Sequence, residues 1–384
     1  MRRPQQLLAL VVLAGLAACS MPYKTPEFAS NTTSVDFDGI ASRLNGDRPL
    51  DLIMVHGMCT HDGKWAEEAV QGIYASLGED PAKVSLREHP VEGTSVLLYQ
   101  QTLQTKHGAL RANAIVWSPL TTPLKGQLCY DQTDKSPTCP PEEAKKTYPY
   151  KRATLNRILK DTILNDCLSD AVIYQGKARD EINAQMQRAL LQAVATSGGD
   201  ARASGTAETV AAVPQQLPLI VITESLGSKV TFDALLKLSQ TKGMEAAGTN
   251  TWNRITQIFM GANQLPILAL GDQRLDGSIA EFRADSGYPE DPIAALFKGS
   301  TLSLLNDGHG APQVVAFTDP NDLLSYVLSP SSNATAYPVV DVVLSNDKTY
   351  LGLAELPTTA HLGYRTNPEV QRLIACGKSR KGCP

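Results

Sequence analysis

The sequence is short of any excess of charge. Its 35 Lys and Arg residues stand against 39 Asp and Glu, a formal net charge of −4. The one concentrated basic run, Lys378 to Lys381, reads as a solvated loop closed by the last two cysteines, so nothing in the balance favours a nucleic-acid partner. After the N-terminal twenty residues no apolar run is long enough to cross a bilayer, so no helical membrane span is expected there. No internal repeat is visible, which excludes a solenoid array. Metal-ligand spacings are missing too. His56, Cys59 and His61 come nearest but match no zinc pattern, so no metal is expected.

What is present begins at the N-terminus. Arg2 and Arg3 precede the apolar run Leu7 to Ala17, and Leu16-Ala17-Ala18-Cys19 has the small residues of a cleavage site. The run is too short to span a membrane, so residues 1–18 read as a signal peptide. The segment resembles a bacterial lipoprotein signal. That resemblance implies a lipid on Cys19 and, with Ser20 following it, an outer-membrane protein facing the periplasm. Ordinary secretion with cleavage nearby is the alternative, and either places the mature chain outside the cytoplasm.

An oxidising compartment gives the remaining six cysteines a use. Closeness in sequence suggests Cys129 with Cys139 and Cys376 with Cys383, and elimination then leaves Cys59 for Cys167. Residues 19–48 are polar, with Pro22 and Pro26 and little periodicity, and read as a tether. From residue 49 short apolar runs alternate with helical patterns, beginning with the strand "LDLIMVHG" and a helix carrying Trp65, Val70 and Ile73. A hairpin turning at Lys106 to Gly108 leads to a core strand at Ala114 to Trp117. Residues 120–168, punctuated by Pro and Cys, read as a lid-like insertion with a helix near Arg152 to Asn165. Lys177 to Val194 is a second helix. Residues 196–216 are rich in small residues and read as a flexible loop. Strands at Leu219 to Thr223, Ile255 to Gly261, Val314 to Thr318 and Val339 to Leu344 follow, with helices at Leu226 to Ser239 and from Pro368. This alternation predicts an α/β fold with a mainly parallel sheet and helices on both faces.

One junction needs explaining. The strand Leu219 to Thr223 runs into the helix after it through Glu224-Ser225-Leu226-Gly227, with no loop between. A serine is a good helix cap, which is the bland reading. The other is a nucleophile elbow, a sharp strand-to-helix turn that lifts a serine hydroxyl above the sheet. Here the chain resembles the α/β-hydrolase family, although Thr223 replaces the first glycine of G-x-S-x-G. Other residues match in that family's order. His56-Gly57-Met58 resembles the segment that supplies an oxyanion donor, which makes the amides of Met58 and Leu226 the two donors and leaves His56 a structural role. In "VVAFTDPNDLLSYVL" the acid is Asp322 or Asp319. Asp322 is preferred because Leu324 can turn into the core, whereas Asp319 before Pro320 suits a turn. His361, in a loop before a helix with Asn367 at its cap, takes the place of the base. His309 is a rival, and His89 and His107 fall in turns.

The resemblance implies Ser225, Asp322 and His361 acting on a carboxylic ester without a cofactor, with the insertion sheltering an acyl chain and a lipid or acylated molecule as substrate. Two alternatives stay open: a silent hydrolase fold serving as a binding or assembly module, and acyl transfer to an alcohol instead of water.

Overall fold

Strands covered on both faces read as near-continuous apolar runs, with any polar residue paired, because neither side meets water. In the computed structural model, which describes residues 25–44, 46, 48–136, 138–195, 205–273, 291–299, 312–329, 337–381 and 383, this holds for the central strands. Every residue of β2 (Leu50–Val55) is buried. Alternate side chains serve two cores. Leu50, Leu52 and Met54 pack with Trp65, Ile73 and Leu373 on one face, and Ile53 and Val55 with Met186, Val230 and Leu235 on the other. Each such side chain contributes roughly 1.5 to 3 kcal/mol through its burial.

Among the described residues nine strands form the sheet. Besides β2 they are β1 (Glu27–Ser30), β3 (Arg87–Pro90), β4 (Leu97–Thr105), β5 (Gly108–Val116), β6 (Leu219–Glu224), β7 (Ile255–Gly261), β8 (Gln313–Thr318) and β9 (Val339–Val343). Their order is β1-β9-β8-β7-β6-β2-β5-β4-β3. The run from β9 to β5 is parallel, and β1, β4 and β3 extend it through antiparallel pairings.

The connections decide where a site can form. The helix after β2, Gly63–Ser76, packs on one face of the sheet, and the helix after β6, Leu226–Gln240, on the other. β2 and β6 are neighbours, so their chains diverge to opposite faces and leave a crevice at their carboxyl ends. Open α/β sheets bind ligands at such a switch point.

Several expectations need correcting. Residues read as a tether belong partly to the domain: β1 pairs with β9, and Phe37 and Ile40 are buried. Cys19 and the signal segment lie outside the described residues. Part of the supposed flexible loop is ordered, since Ala207–Ala211 is helical and buries Val210, with Val213 buried just after it; polar composition concealed these few core contacts. Within the insertion the helical stretch begins at Thr154, widens to a π-type turn over Leu159–Leu168 and continues to Gln175. All three cysteine pairs are bonded as sequence closeness and elimination suggested.

Candidate active site

The strand-to-helix junction is as sharp as the sequence indicates. Ser225 sits at φ 52° and ψ −128°, a conformation that L-residues rarely adopt and that surrounding structure must hold. Its N–H donates to Gly261 O on β7 at 2.8 Å, and its carbonyl accepts from Ser228 N at 3.1 Å. Its side chain makes no capping hydrogen bond, so the hydroxyl is left for another partner. Thr223 fits where the family pattern has glycine because its buried Oγ1 lies 2.8 Å from Oγ of the small Ser228.

Two glycines lock this turn to the loop after β2. A Cβ on Gly227 would lie 2.2 Å from His56 O, and one on Gly57 would lie 2.6 Å from Ser225 Cβ. Neither approach leaves room for a side chain. The interlock brings Met58 beside the elbow, and both Met58 and Ser225 line the same small cleft. Among the described residues neither the Met58 nor the Leu226 N–H has a main-chain acceptor in a turn, loop or cap.

The partners of Ser225 arrive from far along the chain. His361 Nε2 is 3.1 Å from Ser225 Oγ, and His361 Nδ1 is 2.9 and 3.0 Å from the two Asp322 oxygens. With Nδ1–H donating to the carboxylate, Nε2 is left to accept the serine proton. Asp322 also accepts from Leu324 N at 3.0 Å and from the Tyr364 hydroxyl at 3.0 Å. Asp319 takes the other role: it accepts from Asn321 N at 2.9 Å and Asn346 N at 2.5 Å, which fixes the turn that presents Asp322. Leu324 packs against the core. His361 is not in a loop, because Pro357–Leu362 forms a short helix that carries it.

Tyr364 is a site residue the sequence did not disclose. Its hydroxyl donates to Asp322 and accepts from Asp319 N at 2.7 Å, so it ties the two aspartates together. Burial first, and then Asp322, pushes its phenol well above the ordinary range, which keeps it a donor. Its place three positions after His361 on the same coiled segment is the only signal available in the sequence. Glu224 also faces the cleft, accepting from the Trp65 indole at 3.2 Å. Burial pushes its carboxyl up, against the opposing pull of Arg365 and that indole.

The loop carrying Met58 is held from the other side by the insertion. Cys59, at φ 78°, is bonded to Cys167. Cys59 N donates to Asp170 at 2.8 Å, and Thr60 donates to Asp166 through N at 3.1 Å and Oγ1 at 2.6 Å. The buried Lys125 ammonium bridges Asp166 at 2.8 Å and Asp170 at 3.2 Å. Burial pushes Asp170 up to about 6 despite that ammonium. Among the described residues, those lining the cleft around Ser225 come from 57–61, 224–225, 262 and 361–365, and these contacts of 120–168 steady the loop.

The remaining histidines divide clearly. His56 is fully enclosed: Nδ1–H donates to Gly57 O at 2.7 Å, and Nε2 accepts from Trp117 N at 2.9 Å and Ser118 N at 3.2 Å. Burial keeps its pKa well below the usual value, so it is a structural spacer. His61 donates to Met58 O at 3.0 Å. His89 lies in β3, not in a turn, and His107 is at the hairpin turn. His309 lies outside the described residues. Among the described residues, the grouping with metal-like spacing is Cys59, Asp166 and Cys167, whose sulfurs form the disulfide and are not thiolate ligands. No protein-family model, curated protein or solved structure matches this chain, so the geometry itself carries the functional argument.

Proposed function

We propose that the chain is a serine hydrolase of the α/β-hydrolase fold, held at the outer membrane by a lipid on Cys19 and cleaving carboxylic esters in the periplasm. The observation that carries this reading is the hydrogen-bonded file Ser225 Oγ, His361 Nε2, His361 Nδ1 and Asp322, at 3.1 and 2.9 Å. A serine is a poor nucleophile until a base takes its proton, and the base works only in the right tautomer. Asp322 supplies that tautomer and stabilises the imidazolium that forms.

The steps follow from these positions. Ser225 Oγ attacks the ester carbonyl as its proton passes to His361 Nε2. The tetrahedral oxygen gains negative charge and is received by the Met58 and Leu226 amides, donors fixed before the reaction begins. Collapse expels the alcohol, which takes the proton from His361 and leaves an acyl-Ser225. Water then gives a proton to His361, attacks the acyl carbon and releases the acid, returning the proton to Ser225. The two polar walls of the cleft, Glu224 and Arg365, favour an ester with a polar portion beside its acyl group.

Incubating the mature chain with a fluorophosphonate probe tests the reading. Wild type labels and Ser225→Ala does not; an unlabelled wild type favours a binding or assembly module. A panel of esters of graded chain length, with and without an added alcohol acceptor, separates hydrolysis from acyl transfer.

A further inference from the structure

Large apolar side chains on this surface are not scattered. Among the described residues, those left well exposed fall within 124–172, 267–270, 323–327 and 350–362, the segments that follow the carboxyl ends of β5, β7, β8 and β9. Leu353 is 87% exposed, Leu323 74% and Leu270 63%. The described connections at the amino ends of the parallel strands expose none. Single exposed apolar residues are ordinary, but a one-sided concentration marks an interaction surface.

The path of the N-terminal chain says what covers it. β1 runs antiparallel to β9, with Glu27 opposite Val343, the last residue of β9. β9 is parallel to β8, β7 and β6, so Glu27 lies at the end of the sheet where β6 delivers Ser225. The chain therefore enters the domain from the side of the cleft. Cys19 precedes Glu27 by eight positions, which span at most about 29 Å when fully extended. The serine strand is four strands from β1, roughly 19 Å at the ordinary strand spacing. A lipid on Cys19 thus brings the apolar rim within reach of a bilayer on the side where the chain enters, and the one-sided apolar surface selects that face.

We infer that the carboxyl-end rim of the sheet docks on a phospholipid surface, so that the cleft of Ser225 opens toward the membrane and receives esters presented there. The tether part of the inference rests on reading Cys19 as lipidated, and the one-sided apolar rim stands apart from it. Apolar residues at the rim enter the interface and set which face arrives, while the short tether holds the chain close to the bilayer.

The test uses the full mature chain reconstituted in phosphatidylethanolamine–phosphatidylglycerol vesicles whose acyl chains carry a quencher. One fluorophore is placed at Leu353→Cys, and in a second protein at His107→Cys on the opposite end. Docking predicts quenching at position 353 at least threefold stronger than at 107, unchanged by Ser225→Ala, and reduced to near equality by Leu323→Ser with Leu351→Ser. Equal quenching at the two positions, or stronger quenching at 107, overturns it, as does failure to bind vesicles. The mass of the N-terminal peptide reports separately on Cys19. Without a lipid there, preferential quenching at 353 still supports docking, and loss of fluorophosphonate labelling bears only on the hydrolase reading.

Discussion

The two ends of the parallel sheet both bury carboxylates, and they use them in opposite ways. At the amino end Asp51 is gripped by Arg111 through Nε at 2.6 Å and Nη2 at 3.0 Å, and by Arg254 through Nη2. Arg254 Nε donates further to Leu217 O at 2.8 Å. The carboxylate is 1% exposed and saturated by its neighbours, so it stitches β2, β5 and the helix Glu245–Arg254 together. At the carboxyl end Asp322 is equally buried, but one of its partners is an imidazole whose far nitrogen reaches a hydroxyl in a cleft. Burial of charge alone therefore does not mark a site. What marks it is hydrogen-bonding capacity passed along to a place a substrate can enter.

The comparison can be broken by substitutions at each end. Ser225→Ala or His361→Ala should remove about 10⁶ of kcat with little change in Tm, because the members of the file act as a unit. Asp322→Asn should lower kcat on a short-chain ester about 10⁴-fold through the wrong tautomer, whereas Asp319→Asn should reduce it far less; the reverse order would reassign the acid. Asp51→Asn should do the opposite of both. It leaves Arg254 buried with its charge uncompensated, and should cost about 3 to 5 kcal/mol in chemical denaturation while kcat per folded molecule holds.

Smaller effects sharpen the picture at the loop between the two kinds of carboxylate. Asp170→Ala frees the Cys59 amide and one side of Lys125, and should lower kcat about tenfold with KM unchanged, since an oxyanion donor is used only in the transition state. A rise in KM alone would mean the insertion binds substrate instead. The least expected effect is one of pH. Burial holds His61 at about 4 in the fold, against an ordinary 6.5, so the unfolded chain takes up its proton first. Stability is then fully present above about pH 6.5 and falls as the pH drops toward 4. Asp170, raised to about 6, works in the other direction, so the comparison must change His61 alone. His61→Gln should show a smaller fall in Tm between pH 7 and 5 than wild type.

Much of this was legible in sequence because it is written locally. Short, mostly apolar runs bounded by turn signals read as strands covered on both faces, and a serine joining strand to helix without a loop had few explanations. Asn367 caps Glu369 N at 3.0 Å with Pro368 after it, a helix start readable from two letters. Elements stabilised across the chain were hidden. β1 and β3 have no core pattern of their own and exist because β9 and β4 offer edges, and Val210 and Val213 are core residues in a stretch of small polar ones.

Short spacings along the chain carry the alternation of strands and helices and the residue types able to activate a hydroxyl, and they suggested the cysteine pairs without proving them. Folding alone shows which aspartate meets His361, that Tyr364 joins them, and that the insertion braces the Met58 loop. Those contacts link residues 39, 42 and 106 positions apart, and no local pattern fixes a distance across such separations until the packed sheet has set where every strand ends.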